Sequence, residues 1–372
     1  MDLNRLFWDR DESIPLAGTG VTARLMGLAS PSVVYTDSKF LQPIEDNHKG
    51  LLIKGGTYIK LIMANGTTGK PDHFVFGVDN DLALQYTEQK LDTGTSFQPG
   101  KDYYIYMCYM PATETDRVAW ADIVISLNST YPQGFTAETS RKIGGFHTLC
   151  VSAGTLPDNS IDGTPHPASG YIAGEIIPNS IWCLTHRSAG LFQEGTAYVE
   201  ELDEWHWIYL QSSMGVNSRS VFGGTVTKSR TQVQHLDDML RTGYRLESDS
   251  SFQMAADGSN AQTSIQGSAN PVTTGGHVDT AGRRMISRYF LEDMCGAYWQ
   301  WLETFTSYAG SAWAQVPDAQ GQTYGTPYAM LAGGAWTNAA SCGPRCRFCL
   351  NSRLSVNAAH GARGRALSRK SM

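Results

Sequence analysis

The chain has 372 residues, enough for two or three domains, because a single core rarely grows past about 250 residues. Charged residues make up 17% and glycines number 38, which disfavours a helical bundle and suits strands joined by long surface loops. The net charge of -6 gives no footing for nucleic acid or an anionic membrane surface as the main partner.

The N-terminal stretch "MDLNRLFWDRDESIP" carries charges throughout and lacks the apolar centre of a signal peptide, and no apolar run is long enough to span a bilayer. Residues 1–30, of mixed polarity, read as an arm. Over 31–140 the pattern becomes short apolar runs, "SVVYT", "LLIKGGTYIKLIM", "HFVFGV", "DYYIYMCYM" and "ADIVISL", punctuated by "GG", "NG" and "PG". Runs of this length, rich in Val, Ile and Tyr, predict a β-sandwich-like domain.

A second domain is expected over 141–372, opened by the strand-like "RKIGGFHTL" (141–149). Trp205, Trp207 and Tyr209 alternate in "EWHWIYL", so their rings should share one face of a core strand. Two helices come next. In "VQHLDDMLRTGYRL", Leu236, Met239 and Leu240 fall at i, i+3 and i+4 and Gly243 stands where a helix ends. Ser248 or Asp249 caps the second, with Phe252, Ala255 and Ala256 facing inward. The polar, Gly/Ser/Thr-rich stretches 258–282 and 307–328 lack strand or helix signals and read as binding loops or mobile segments. Two short helices among many strands give an α+β protein.

Cys108, Cys150, Cys183 and Cys295 are scattered in apolar contexts, as buried thiols made in a reducing compartment would be. Cys342, Cys346 and Cys349 instead cluster in "CGPRCRFC" at C-x3-C-x2-C. That spacing matches the iron–sulfur motif of radical S-adenosylmethionine enzymes, but there most of a barrel comes after the motif, and here only 23 residues lie beyond Cys349. With His360 the same thiols make a zinc-type donor set, although His360 lies farther off than in compact zinc knuckles. The remaining reading is small, buried or half-buried thiols in an irregular loop, with one local disulfide as an option.

From Ala319 onward there is no Asp or Glu, while Arg345, Arg347, Arg353, Arg363, Arg365, Arg369 and Lys370 supply seven cations. Within this region Gly333, Gly334 and Trp336 form G-G-x-W, Arg345 and Arg347 come next in a polar stretch, and Gly361 and Arg363 form G-x-R. Upstream, "GYRL" (243–246) precedes a short helix, and "GAYWQW" (296–301) holds Trp299 and Trp301 in a G-x-x-W-x-W strand pattern. This order resembles the C-type-lectin-like fold shared by formylglycine-generating enzymes and the variable proteins of diversity-generating retroelements. "GKDYYIYMC" (100–108), "SRKIGGFH" (140–147) and "GARG" (361–364) are similar to its phage tropism-determinant branch, and the resemblance covers roughly residues 48–372.

The resemblance implies a C-type-lectin-like ligand-binding domain with a variable region at about 333–366. There a reverse transcriptase misreads template adenines, so AAC-type codons become many residues but never Lys, Glu, Gln, Met or Trp. Ala335, Thr337, Asn338, Ser341, Phe348, Leu350, Asn351, Ser355, Asn357, Ala359 and His360 all fit such codons. A position that accepts arbitrary side chains cannot belong to a packed core, where one methylene matters. These eleven are therefore the expected ligand-binding positions, with Phe348 and Leu350 as apolar anchors and the Asn side chains and His360 as polar readers. Trp299, Trp301, Gly333, Gly334, Trp336, Arg345, Arg347 and Arg363 are the expected frame, the arginines donating to carbonyls that an irregular loop leaves unpaired.

The resemblance further implies a binding protein of a virion tail fibre or surface, made in the host cytoplasm and attaching to a host-surface protein or glycan. A homotrimer is among the expected assemblies. No catalytic residue, metal, cofactor, nucleic acid or membrane insertion is expected. The alternatives are a formylglycine-generating-type cysteine oxidase, which uses two cysteines and copper, and a zinc-binding lectin-like adhesin.

Overall fold

The tyrosine-rich run "DYYIYMCYM" becomes strand β7 because both of its alternating faces find apolar partners. In the computed structural model, which describes residues 33–45, 47–64, 71–84, 91–111, 120–315 and 322–369, the first half consists of short strands. They are β1 (Val33–Val34), β2 (Leu41–Ile44), β3 (Asn47–Ile53), β4 (Thr57–Ala64), β5 (Pro71–Val78), β6 (Leu82–Leu84), β7 (Asp102–Met110), β8 (Trp120–Ser126), β9 (Ser140–His147) and β10 (Trp182–Cys183). Three sheets result, ordered β1-β4-β5, β2-β3-β6 and β10-β9-β7-β8. The arm expected over 1–30 lies outside the described residues.

Tyr103, Ile105 and Met107 point into a core shared with Leu41, Leu51, Ile53, Ile59 and Ile143, so the three sheets close over one interior. On the opposite face of β7, Tyr104, Tyr106 and Cys108 pack with Trp182 and Trp205, joining this half to the next. Strand β9 pairs with β7 from Asp102 opposite His147 to Cys108 opposite Ser140. The strand expected to open the second domain therefore completes a sheet of the first half, because its apolar residues Ile143 and Phe146 match that core.

The second half contains β11 (Thr196–Val199), β12 (Glu204–Trp207), β13 (Gln211–Ser212), β14 (Arg219–Ser220), α1 (Gln232–Arg241), β15 (Arg245–Leu246), α2 (Asp249–Ala255), β16 (Trp299–Gln315), β17 (Gln322–Gly333), β18 (Gly343–Ser352), β19 (His360–Gly361) and β20 (Gly364–Leu367). Two four-stranded sheets, β11-β12-β20-β15 and β18-β17-β16-β19, carry the C-terminal region. Trp205 and Trp207 are buried in β12 as expected, but the strand ends at Trp207. The three aromatic rings enter separate clusters, Trp205 beside Tyr104, Trp207 beside Tyr244 and Tyr209 beside Ile208.

Helix α1 begins at Thr231, whose hydroxyl accepts from the Gln234 backbone while the Gln234 side chain reaches back, a reciprocal capping box. Its inner face differs from the sequence expectation. Met239 is buried, but Leu240 is 55% exposed and His235 and Asp238 are buried instead. The reason is a polar partner: Gln211 accepts from His235 Nδ1 at 2.6 Å and donates to Asp238 at 2.8 Å. Ser248 caps α2 and Phe252, Ala255 and Ala256 are fully buried.

Where they are described, the two polar stretches are ordered rather than open loops. Within 258–282, buried Asp279 accepts the backbone N–H groups of Ala281 and Arg283 and the amide of Asn260, which fixes the segment without regular structure. Residues 307–315 and 322–328 form the outer part of a long hairpin, with Tyr308 opposite Pro327 and Trp313 opposite Tyr324, while 316–321 lie outside the described residues. Cross-strand pairing supplies the order that composition conceals, and the Trp313 and Tyr324 rings meet edge to face at 5.4 Å.

Arg363 fastens these parts together. Fully buried, it donates from Nη1 to the Trp207 and Ile208 carbonyls, from Nη2 to the Glu292 carbonyl and from Nε to the Gln300 side chain at 3.2 Å. Burial lowers its pKa to about 10, so it stays charged at neutral pH, held by four oxygens. A lysine cannot reproduce the planar fork. Arg363→Lys should lose roughly 3 kcal/mol in a urea-unfolding experiment, whereas exposed Arg345→Lys should stay within about 0.5 kcal/mol of the parent.

Candidate functional site

The site arises from a misfit between two strands. Along β17, Ala329 and Leu331 are two residues apart, but their partners on β18, Asn351 and Phe348, are three apart. One extra residue in β18 makes a bulge, which reverses the in–out alternation. Phe348 and Asn351, which a regular strand would send to opposite faces, therefore line the same recess.

That recess encloses about 440 Å³ and is lined by Trp299, Ala335, Trp336, Thr337, Asn338, Phe348, Asn351, Asn357, Ala359 and His360. Eight of the eleven expected ligand-binding positions meet there. Ser341, Leu350 and Ser355 do not line it; Leu350, 71% exposed, stands in the bulged segment, and Ser341 is exposed. Ala335 is fully buried in the floor, where its N–H donates to Asn338 Oδ1 at 2.9 Å. Phe348 is 40% exposed and leans on Trp299 with ring centroids 5.9 Å apart. Trp299 and Trp336, expected only as frame, are also walls of the recess; nothing in their sequence spacing distinguishes the two roles.

The frame is placed unevenly. Gly333 and Gly334 have φ of +89° and +87°, a region that side chains avoid. A Cβ at Gly333 would collide with the Met294 carbonyl, and one at Gly334 would lie 2.7 Å from Cys342 Sγ. Trp301 is fully buried under His360, their rings edge to face at 5.1 Å. Arg347 donates to the carbonyls of Pro344 (2.7 Å) and Cys346 (3.0 Å) and pairs with Asp249 at the start of α2. Arg345 departs from the expectation: it is exposed, and no carbonyl accepts from it among the described residues. Register explains this. Ala332 pairs with Arg347 but Gly333 with Gly343, so Pro344, Arg345 and Cys346 are looped out of the β17 ladder.

The same loop disperses the thiols. Cys342 is buried beneath Gly334 and its Sγ reaches the Ala335 carbonyl at 3.4 Å, while Cys346 and Cys349 are half-buried in β18. Burial pushes the Cys342 thiol up to about 12 and raises that of Cys346. Among the described residues, no group of three His, Cys, Asp or Glu side chains is arranged to hold a metal ion.

Beneath the recess lie two neutral histidines. His360 Nε2 accepts from the Asn351 side-chain amide across 3.3 Å, and burial pushes its pKa down to about 4. His235, fully buried under it, is pushed down to about 3 by burial, with Arg230 and His360 adding to the effect. The recess is thus an uncharged, aromatic-walled, amide-rimmed surface. It suits contact with a ligand rather than proton transfer or nucleophilic chemistry.

The family model described as "Mtd second domain" matches residues 46–183. The tail fiber receptor-binding protein of Bordetella phage BPP-1 is 27% identical over 388 residues, covering 96% of this chain and 91% of that protein. The fold is C-type-lectin-like, α+β with few helices. In fold the chain resembles the Major Tropism Determinant. Solved structures of its I1 and M1 variants superpose with TM-scores of 0.68 and 0.69 at 23% identity, covering 91% and 92% of this chain and 86% of each of theirs.

The buried neutral histidines set a pH response. A histidine whose folded pKa lies below its unfolded value of 6.5 stabilises the fold fully above that pH and loses its contribution as pH falls toward the folded value. His277, raised by Asp293 against the opposing effect of burial, acts in the other direction, its contribution fading as pH rises through its folded pKa. Lowering the pH from 7 to 4.5 should cost on the order of 2 kcal/mol through His235 alone. In thermal unfolding across that range, His235→Gln should show a shallower decline in Tm than the parent.

Proposed function

We propose that this chain is a phage receptor-binding protein whose recess contacts the host, and that its lining is diversified by adenine-directed reverse transcription. The observation that carries this reading is the convergence of eight codon-compatible positions on one recess. Side chains at the open positions Thr337, Asn338, Phe348 and Asn357 can change without disturbing the core, and each change resets what the surface recognises. Buried Ala335 and His360 are instead packed like frame residues, against the expectation for variable positions. The protein acts by binding, not catalysis. The copper-oxidase alternative needs a reactive cysteine pair, and burial holds the Cys342 and Cys346 thiols protonated.

The chain is carried on the virion, as a tail-fibre or surface component made in the host cytoplasm, and it engages a host-surface receptor. Copies joined as a homotrimer and repeated on a particle compensate for a weak single site through effective concentration. The DNA flanking the gene tests the reading. It should hold a near-copy of the codons for residues 333–366, with AAC or AAT at the recess positions, beside a reverse-transcriptase gene. Adenine-poor codons at those positions in any such copy would contradict it.

A further inference from the structure

We infer that the recess takes an uncharged saccharide ring, an inference that rests on the receptor-binding reading and names its ligand class. Three features of the lining converge on this chemistry. The first is the absence of formal charge: no Asp, Glu, Lys or Arg lines the recess, although the C-terminal region supplies seven cations. His360 in the floor is neutral at physiological pH, its charged form disfavoured by burial. A charged group entering this space would lose water without gaining a counter-charge.

The second feature is an aromatic wall. Trp299 and Phe348 stand at 48° with centroids 5.9 Å apart, a concave apolar surface of the kind that the C–H face of a pyranose covers. The third is the set of amides at the rim. Asn338 and Asn357 each spend Oδ1 on a backbone N–H, of Ala335 at 2.9 Å and of Ala359 at 2.8 Å. Among the described residues neither Nδ2 has a partner, so two fixed donors are left for ligand oxygens. An apolar peptide side chain in this recess would leave those donors unpaired, at a cost that a ring of hydroxyls avoids. The volume of about 440 Å³ lies within the ~300–1,000 Å³ usual for small-ligand sites.

The test uses the purified full chain on an array of neutral oligosaccharides (hexose and N-acetylhexosamine termini) and acidic ones (sialic and uronic acid termini). Signal should fall on neutral glycans only. Asn338→Asp keeps the acceptor that holds the loop but removes the donor and adds charge, and Phe348→Ala removes the wall; each should weaken neutral-glycan binding at least about tenfold with Tm unchanged. Signal confined to acidic glycans, or neutral-glycan binding that both variants retain, overturns the inference. In parallel, adsorption of labelled protein to a panel of bacterial cells is measured after periodate oxidation and after protease treatment. Loss with periodate alone supports a saccharide. Loss with protease alone overturns it while sparing the receptor-binding reading, and no adsorption to any cell together with a silent array overturns both.

Discussion

A single buried guanidinium holds the C-terminal region to the rest of the chain. Arg363 reaches carbonyls at the end of β12, a carbonyl at Glu292 and the side chain of Gln300 in β16, so one residue ties three separate segments. Irregular backbone in an interior is tolerated only when its polar groups are satisfied, and here the satisfaction comes from a side chain rather than from a ladder. Charge without a directly bonded carboxylate is kept in place because four oxygens surround it. Neighbouring ion pairs extend the same principle, with Arg365 bridging Glu204 and Glu303, and Arg284 joined to Glu292.

On that frame the recess needs little from its own lining. The glycines at 333 and 334 turn the chain where a side chain could not, Trp301 supports His360 from below, and the β18 bulge brings residues three apart to one opening. Backbone geometry is therefore fixed by residues that point away from the opening. The exposed and half-exposed lining side chains, Thr337, Asn338, Phe348 and Asn357, contribute contact surface and hydrogen-bond groups, while Ala335 and His360 below them are packed.

Much of this was legible in the sequence, for identifiable reasons. The apolar run in 102–110 announced a strand, Gly243 stood just past the end of α1, Ser248 capped α2, and Gly333 and Gly334 of G-G-x-W were placed in the frame. Other features depend on partners far along the chain and left no local trace. The bulge exists only relative to β17, and the described arms of the hairpin, 307–315 and 322–328, take their order from cross-strand pairing rather than from a strand-like composition. Arg345 and Arg363 look alike in sequence, yet one is looped out by a register jump and the other is fully buried. The exchange of Leu240 for His235 and Asp238 on the inner face of α1 is set by Gln211, a residue twenty-odd positions away that periodicity cannot see.

The central claim is the separation of a rigid frame from a permissive lining, and a saturation library over residues 333–366, read by protease resistance of the displayed full chain, measures it most directly. The account predicts that Thr337, Asn338, Phe348 and Asn357 accept most substitutions with native resistance, while Gly333, Gly334 and Arg363 accept almost none. Equal loss of resistance at recess and frame positions would contradict it.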